Sequence, residues 1–293
     1  MRLPAAPVIA VHAGAGPGST DPAVREQALA GLLQALRRGG QVLSDGGEAL
    51  DAVQVAVAYM EDEVEVFNAG RGAVLTSEGT AELSASVMRG RDRNAGAAAL
   101  ITRSRFPVAA ARAILEHSPH VLMSGPAADA FAAGHGVEQC DPDYFVSERQ
   151  RVRLAERGSD FDKGTVGAVC LDRSGGLAAA TSTGGRRGQL PGRVGDTPVI
   201  GAGIWADPAI AISCTGDGEA FMRCAAAHQL AARVAGGQGL QEAAAATLAD
   251  VGALQGTGGL IALDAAGEIT LPFTSGAMNR GAWRLDGEPQ AWV

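Results

Sequence analysis

Two similar strand–turn–strand units limit most strongly what this chain can fold into. Each has an apolar run ending in Leu-Asp, a turn that contains glycine and a second apolar run, which is the pattern of a β-hairpin. The units span 166–181 and 259–271, and helical patterns near 219–234 and 238–249 lie between them. Strands, paired helices and further strands predict an α/β chain of stacked sheets with helices outside them.

The first half of the chain also alternates between strands and helices. Asp21 and Pro22 are typical of a helix N-cap and first turn, and Asp45 with Glu48 resembles a capping box for a second helix. The segment 141–162 is charged, rich in arginine and without an apolar stripe, which indicates an exposed linker. The remaining predicted elements are a strand over 8–12, short strands within 74–87, and helices over 22–36, 50–60, 107–116 and 126–133.

Charge and cysteine content argue against several classes of protein. The net charge of −8 argues against nucleic acid as the main partner. The four cysteines form no Cys-x-x-Cys pair, and Cys170 and Cys214 lie in apolar runs, so we expect free thiols rather than disulfides or a zinc site. The stretch after Met1 is too short and too polar for a signal peptide or membrane span, which predicts a cytoplasmic protein.

A Gly-Thr step at Gly164 and Thr165 opens the first strand of the first unit. Its ordinary interpretation is a turn glycine followed by a β-branched strand residue. Its functional interpretation is a cleavage site, because a cut before Thr165 would place a hydroxyl nucleophile and a free α-amine on one residue. An α-amine titrates near pH 7.7–8.0, roughly where a general base is useful.

Three motifs of glycines and polar residues follow Thr165. Hairpin pairing is expected to bring residues 181–183, within Thr-Ser-Thr-Gly-Gly at 181–185, beside Thr165. Gly-Arg-Val-Gly-Asp at 192–196 places an arginine and an aspartate three residues apart, and Thr-Gly-Asp-Gly-Glu at 215–219 stands where a strand stops and a helix starts. Each motif also has an ordinary interpretation: local hydrogen bonds of hydroxyls, a surface ion pair and a helix cap.

Together and in this order, the motifs resemble the plant-type asparaginases, or isoaspartyl peptidases, of the N-terminal-nucleophile hydrolase superfamily. The resemblance extends over nearly the whole chain, and the run from 164 to 196 is its most specific part. The motifs that carry it are HAGAG at 12–16, FNAG at 67–70, GTVGAV at 164–169, AAATSTGG at 178–185, PGRVGD at 191–196, TGDGE at 215–219 and GGLI at 258–261.

The resemblance implies a four-layer αββα sandwich in one domain that spans the chain. It implies an inactive precursor that cleaves itself between Gly164 and Thr165. The products would be an alpha subunit, 1–164, ending in a linker at about 141–164, and a beta subunit, 165–293. The Thr165 hydroxyl would attack the Gly164 carbonyl, and water would open the resulting ester. Glycine suits a strained peptide because it has no Cβ.

The resemblance also implies roles for the site residues in the mature enzyme. Thr165 would be the nucleophile, with its own α-amine as base, and would attack asparagine or the isopeptide bond of a β-aspartyl peptide. Thr183 would hold the nucleophile, while Thr215 and the backbone N–H of Gly216 would hold the oxyanion and contact the substrate. Further substrate contacts would come from Arg193 to the α-carboxylate, Asp196 to the α-ammonium and Gly218 through its backbone.

No cofactor for catalysis is implied, but the resemblance implies a structural sodium ion bound by backbone carbonyls. It further implies a homodimer of alpha–beta heterodimers that acts on small-molecule substrates, without nucleic acid or membrane as partner. Ala13 in the first glycine-rich turn, Asp217 beside the oxyanion donors and the stretch 63–66 depart from the family pattern. The sodium carbonyls would belong to Glu61, Asp62, Val64, Phe67, Ala69 and Arg71.

Two alternatives stay open beside this interpretation. A glycosylasparaginase-like amidohydrolase uses the same order of motifs, and an uncleaved, non-enzymatic relative would keep the fold without the chemistry. A third possibility, a dinucleotide-binding site at Gly-Ala-Gly-Ile-Trp-Ala over 201–206, is discounted. That fingerprint must open a helix, whereas Pro208 and a strand-like run follow it here.

Overall fold

Helices and strands account for most of residues 6–62, 65–156 and 164–293, which the structure, a computed structural model, describes. The strands are β1 (Val8–Gly16), β2 (Leu83–Arg89), β3 (Asn94–Ile101), β4 (Leu122–Ser124), β5 (Val166–Leu171), β6 (Leu177–Thr183), β7 (Ile204–Ala206), β8 (Ile210–Gly216), β9 (Gly258–Asp264), β10 (Ile269–Thr270), β11 (Ala277–Arg284) and β12 (Gln290–Trp292). The helices are α1 (Pro22–Ser44), α2 (Ala49–Asp62), α3 (Pro107–His117), α4 (Gly125–Gly134), α5 (Glu148–Ala155), α6 (Gly218–Cys224), α7 (Ala226–Ala235) and α8 (Leu240–Ala253).

The described strands form two sheets. The larger has the order β12-β11-β1-β5-β6-β2-β3-β4 and is antiparallel except where β3 meets β4. The smaller has the order β10-β9-β8-β7 and is antiparallel throughout. Both predicted hairpins are present, as β5–β6 and β9–β10. Because β5 lies in the middle of the larger sheet, Thr165 directly precedes a central strand.

The two faces of β5 pack against different layers. Val166, Ala168 and Cys170 belong to an apolar core shared with α1 and α2, whereas Val169 and Leu171 belong to a core that contains residues of both sheets. A third core joins the outer face of β8 and β9 to α6, α7 and α8. Alternation along the strands therefore gives the order helices, sheet, sheet, helices. The predicted αββα sandwich is confirmed.

The ends of α1 and α2 differ from the sequence prediction. Asp21 does cap α1, accepting from Ala23 N at 2.9 Å, but the helix continues to Ser44 rather than ending near residue 36. The predicted capping box of α2 is wrong, because Asp45 is the C-cap of α1. The first amide of α2, that of Ala49, donates instead to Oδ2 of Asp172 at 2.9 Å, and Asp172 lies in the β5–β6 turn. A cap supplied by a distant turn leaves no local sequence signal.

Three other segments bear on the sequence predictions. The helix predicted over 219–234 is two helices, because Ala225 between them has a left-handed φ of +48°. Residues 201–206 form a turn and β7 and open no helix, as expected. The segment 141–156 is more ordered than an exposed linker, since it contains a 3-10 turn with the fully buried Phe145 and then α5. The rest of that segment, 157–163, lies outside the described residues.

The cysteines agree with the sequence prediction of free thiols. All four cysteines are free, and Cys170 and Cys214 are buried. Burial raises the pKa of both buried thiols well above the ordinary value, so they stay protonated and unreactive at neutral pH. Within the described residues, no helix is long and apolar enough to cross a membrane.

Candidate active site

The β5–β6 hairpin places Thr165 opposite Thr183. Val166 pairs with Ser182 and Gly167 with Thr181, so the next residues outward along the antiparallel register are Thr165 and Thr183. Their hydroxyl oxygens are 3.3 Å apart, and both side chains are buried. Residues two apart on a strand share a face, so both hydroxyls point into the space between the sheets. This neighbourhood is the one that hairpin pairing predicts.

Thr183 uses its hydroxyl fully. It donates to the carbonyl oxygen of Gly164 at 2.8 Å, and it accepts from the Thr165 hydroxyl and from Gly185 N at 3.0 Å. A hydroxyl has one proton to donate and two lone pairs to accept with, so this set is complete. The Thr165 proton therefore points at Thr183, and a donor lies on the carbonyl of the peptide bond that precedes Thr165.

Asn68 supplies a second donor to the same carbonyl. Its Nδ2 donates to Gly164 O at 2.9 Å and to Gly185 O at 2.7 Å, while its Oδ1 accepts from Val74 N at 2.9 Å. Asn68 is thus fixed on three sides. Sequence reasoning assigned no role to it, although the FNAG motif at 67–70 contains it. Its 96-residue separation from Gly164 leaves no local pattern, and only its place in that motif could have singled it out.

Thr215 and Gly216 lie at the end of β8, on the opposite sheet. Thr215 is fully buried, and its Oγ1 has no hydrogen-bond partner among the described residues. Its ordinary interpretation as a helix cap is wrong, since Asp217 occupies the N-cap position of α6. Gly216 has φ of +142°, and a Cβ there would lie 2.4 Å from Thr257 O, so only glycine fits. A buried hydroxyl without a partner is a donor available to a ligand.

Arg193 is paired with Glu219 rather than with Asp196. Its Nε and Nη2 donate to the two carboxylate oxygens of Glu219 at 3.0 and 3.1 Å, and its Nη1 donates to Gln189 at 3.4 Å. Glu219 thus occupies one edge of the guanidinium. A Cβ on Gly218 would lie 3.0 Å from Arg193 Nη2 and 2.8 Å from Asp196 Oδ1, so all three residues are close neighbours.

Asp196 is a buried carboxyl with spare capacity. Its Oδ2 has no hydrogen-bond partner among the described residues. Burial raises the pKa of the Asp196 carboxyl to about 7, although the nearby Arg193 charge opposes the rise and Glu219 adds to it. A cationic group bound beside Asp196 would lower this pKa again, because an opposite charge favours the ionised carboxylate.

A chain of buried polar groups lies beneath these residues, between the two sheets. Ser213 Oγ on β8 is 2.8 Å from His12 Nε2 on β1 and 2.8 Å from Thr181 Oγ1 on β6. Gly167 leaves room for it, since a Cβ there would lie 2.0 Å from Ser213 Oγ. Burial lowers the pKa of His12 to about 3, so the imidazole is neutral above that pH. This chain links the sheets behind Thr165.

The loop predicted to hold sodium is partly described, and Val64 lies outside the described residues. A Cβ on Gly72 would lie 1.9 Å from Phe67 O, and one on Gly70 would lie 2.2 Å from Glu61 O, so these two carbonyls pack directly against loop glycines. Carbonyl oxygens are donors that suit a hard cation. Three other residues were predicted to contribute carbonyls. The Asp62 carboxylate forms an ion pair with Arg105, and Arg71 forms an ion pair with Glu65. Ala69 is buried.

Glu61 itself is buried with its carboxyl on the N-terminus of α3. Its Oε1 accepts from Val108 N at 2.9 Å. Burial raises the pKa of the Glu61 carboxyl to about 8, so it is protonated in acid and ionises only near that pH. Within the described residues, no cluster of three or more histidine, cysteine or acidic side chains is arranged to hold a metal. Backbone oxygens are therefore the donors to consider in this loop.

The four-layer αββα fold, with a threonine directly before a central strand, is that of the N-terminal-nucleophile hydrolases. Known sequences narrow the class. A family model described as asparaginase matches residues 5–292. This chain belongs to that asparaginase family.

Several curated relatives are similar to the chain over most of its length. An isoaspartyl peptidase of Escherichia coli (strain K12) is 45% identical over 302 residues, which cover 96% of this chain and 94% of the relative. An isoaspartyl peptidase/L-asparaginase of Bos taurus is 39% identical, with 93% and 91% covered. A protein of the same name from Homo sapiens is also 39% identical, with the same shares covered.

Proposed function

We propose that the chain is a self-processing amidohydrolase that acts on isoaspartyl peptides and on L-asparagine, with Thr165 as its nucleophile. One observation carries the proposal: the carbonyl before Thr165 accepts hydrogen bonds from Thr183 and Asn68, while the Thr165 hydroxyl donates to Thr183. The similarity to isoaspartyl peptidases and L-asparaginases over most of the chain supplies the substrate class.

Self-cleavage begins with attack of the Thr165 oxygen on the Gly164 carbonyl carbon. As the tetrahedral intermediate forms, negative charge develops on Gly164 O, where Thr183 Oγ1 and Asn68 Nδ2 already donate. The C–N bond then breaks, the departing nitrogen takes up one proton in exchange for the one that the Thr165 hydroxyl has lost, and the acyl group is left on Thr165 as an ester. Water opens this ester. The products are a carboxylate at Gly164 and a free α-amine at Thr165. Losing one such donor typically slows acyl transfer by about 10²–10³-fold.

Hydrolysis by the mature enzyme uses the same oxygen. The Thr165 α-amine takes the hydroxyl proton, the oxygen attacks the side-chain carbonyl of the substrate, and the amine passes the proton to the departing nitrogen. Water then releases aspartate from the acyl-enzyme. Proton transfer of this kind contributes typically about 10²–10⁴-fold. The oxyanion would lie on the Thr215 hydroxyl and the Gly216 amide, and the unpartnered state of Thr215 Oγ1 supports this assignment.

Arg193 and Asp196 are suited to the two charges of a β-aspartyl group. One edge of the Arg193 guanidinium is held by Glu219, and a guanidinium has a second edge with which to donate to a carboxylate. The unpartnered Asp196 Oδ2 is available to an ammonium group. The backbone of Gly218 lies between them. These contacts would bind the two charged groups on the α-carbon of the substrate and place its side-chain amide at Thr165.

Two further features belong to the proposal. We infer a sodium ion on the backbone carbonyls of the 61–71 loop, with a structural role, from the membership of the chain in the asparaginase family. The ion would hold the loop that carries Asn68, and no catalytic step depends on it. We also infer a homodimer of alpha–beta heterodimers.

The test is to follow purified protein over time by denaturing gel and intact mass, with sequencing of the new N-terminus. We expect two fragments, the second beginning with Thr165. Ammonia release from L-asparagine and leucine release from β-aspartyl-leucine should rise with the fraction cleaved. Thr165→Ala should stay one chain and release neither product, while Thr165→Ser should still cleave.

A buried threonine far from the site provides the control. Thr247 lies on α8 and donates only within its helix, to Ala243 O at 2.9 Å. Thr247→Ala should therefore cleave and hydrolyse at the wild-type rate. If Thr165→Ala still breaks at Gly164, the nucleophile has been assigned to the wrong residue.

A further inference from the structure

Asp217 does not behave as the N-cap that its position would allow. It directly precedes α6, and aspartate is a preferred N-cap residue, yet its side chain makes no hydrogen bond to that helix. Its Oδ2 accepts instead from Thr257 N at 2.9 Å and from Thr257 Oγ1 at 3.2 Å, and Thr257 directly precedes β9. The carboxylate therefore joins the residue that follows β8 to the residue that precedes β9.

The contact between Asp217 and Thr257 runs in both directions. Asp217 N donates to Thr257 O at 2.9 Å, while Thr257 N donates back to the Asp217 carboxylate. Two residues that exchange backbone and side-chain bonds in this way form a clamp. Gly216 lies directly beside it, with Thr257 O only 2.4 Å from where a Cβ would be. The φ of +142° at Gly216 is thus held on one side by β9 and on the other by this clamp.

We propose that Asp217 is a positioning residue for the oxyanion-hole amide of Gly216, and that Arg186 offsets the negative charge this brings to the hole. The inference rests on the proposed function, since it concerns the donor assigned there to Gly216. An oxyanion donor must be fixed before the reaction for it to stabilise the transition state fully. Glycine is the most flexible residue, so its amide needs neighbours that hold it.

A carboxylate on the residue next to an oxyanion donor disfavours the oxyanion unless its charge is balanced. Arg186 provides the balance, because its Nη1 lies 3.9 Å from Asp217 Oδ1 and 3.3 Å from Glu219 Oε2. Its backbone follows Gly185, whose amide donates to Thr183, the residue that accepts from the Thr165 hydroxyl, so Arg186 extends from a loop that contacts the nucleophile's partner. Asp217 therefore keeps its hydrogen-bonding geometry while its charge is screened from the reacting atoms.

The inference predicts a change in kcat rather than in KM. Asp217→Ala should lower kcat for L-asparagine by about 10-fold, since the Gly216 amide is displaced rather than removed. Asp217→Asn should stay within about 3-fold of wild type, because the asparagine Oδ1 can still accept from Thr257. Self-cleavage should be unaffected in both variants, since the carbonyl of Gly164 has its own donors in Thr183 and Asn68.

Charge balance is tested by a double-mutant cycle. Arg186→Met should lower kcat by about 3-fold when Asp217 is present and should leave kcat unchanged when position 217 is asparagine. Arg186→Met also loses a contact to Glu219, so a rise in KM is expected in both backgrounds. The matched control is Asp264→Ala, at the far end of β9, where a carboxylate also accepts backbone amides but no site residue is near.

Equal loss in Asp217→Asn and Asp217→Ala, or no loss in Asp217→Ala, would overturn the positioning role. Slowed self-cleavage in Asp217→Ala would overturn it too, because the effect would then be general. Amide hydrogen exchange over 214–217 gives a readout independent of turnover. We expect faster exchange in Asp217→Ala and wild-type exchange in Asp217→Asn. Wild-type protein that cleaves itself but releases no ammonia would refute the proposed function alone, and the exchange result would still decide on the clamp.

Discussion

The layer between the two sheets is apolar at one end and polar at the other, although the same four strands run through both ends. Side chains alternate with the same period throughout, so the pleat does not distinguish the ends. The apolar end contains Val8, Val169, Leu171, Ala179 and Ala211, and the polar end contains His12, Thr165, Thr181, Thr183, Ser213 and Thr215.

The two ends differ in what their side chains need from each other. At the apolar end, burial alone stabilises the fold, by about 25 cal/mol for each Å² of apolar surface removed from water. At the polar end, each buried group needs a partner, and one left without a partner costs about 1–3 kcal/mol. Thr181 and Ser213 have partners, whereas Thr215 Oγ1 has none among the described residues. The polar end thus divides into groups that hold the sheets together and groups kept available for a ligand.

The largest effect should come from making the polar end apolar at one residue. Thr183→Val keeps the shape but removes the donor to Gly164 O and the acceptor of the Thr165 proton. We expect self-cleavage to slow by about 10²-fold, measured as the cleaved fraction against time. Thr181→Val, on the same face of β6, is the matched control and should cleave normally. A wild-type rate in Thr183→Val would mean that the polar end is structural only.

The reverse exchange at the apolar end should affect stability and leave the chemistry unchanged. Val169→Thr buries a hydroxyl where neighbouring side chains are apolar. We expect the free energy of unfolding to fall by about 1–3 kcal/mol, measured by denaturant titration in the uncleaved Thr165→Ala background. The self-cleavage rate of the single variant should match wild type. The distinction between the two ends would fail if Val169→Thr lowered the free energy of unfolding no more than Val169→Ala does and also slowed self-cleavage.

The fold and the centre of the site could be predicted from the sequence to the extent that local patterns encode them. Hairpin turns and period-two strands fix the β5–β6 register, and the register alone brings Thr165 beside Thr183. The order of strands and helices predicted stacked sheets with helices outside them, and the resemblance specified the four-layer αββα arrangement. These features depend on residues that are near in sequence or on motifs in a known order.

Contacts between distant segments could not be predicted in this way. The bond from Asn68 to Gly164, the cap that Asp172 gives to α2, and the pairing of Arg193 with Glu219 each join separate elements. Their partners are chosen by how the layers pack, which no periodicity records. Capping and turn patterns relate only residues that are close in sequence, so they predicted local partners, such as a capping box at Asp45.

The pH dependence of kcat/KM should distinguish Asp196, at the substrate side of the polar end, from His12, which lies between the sheets. Burial raises the pKa of Asp196 to about 7, whereas burial lowers that of His12 to about 3. Below its pKa, Asp196 is neutral and loses its attraction for the substrate ammonium. We therefore expect Asp196 to add a factor of about 10 per pH unit to the fall in kcat/KM for L-asparagine below about pH 7, while His12 contributes nothing above pH 5.

Asp196→Asn gives the control for this pH profile. The substitution should lower kcat/KM and make the acidic limb less steep, because position 196 then has no carboxyl to titrate. The Thr165 α-amine also titrates, near pH 7.7–8.0 in an ordinary environment, and its limb should persist in the variant. An unchanged limb near pH 7 in Asp196→Asn would assign that limb to another group.

The smallest effect should come from the polar groups that only join the sheets. Ser213 Oγ lies 2.8 Å from both His12 Nε2 and Thr181 Oγ1, so Thr181→Val removes one hydrogen bond and leaves the other intact. We expect the free energy of unfolding to fall by about 1 kcal/mol. Ser213→Ala should destabilise more, because it leaves both partners buried without a bond. Normal self-cleavage in both variants would place these hydroxyls with the sheet contacts. Slowed self-cleavage in Thr181→Val would mean that Thr181, two residues before Thr183 on the same face of β6, also contributes to the reaction.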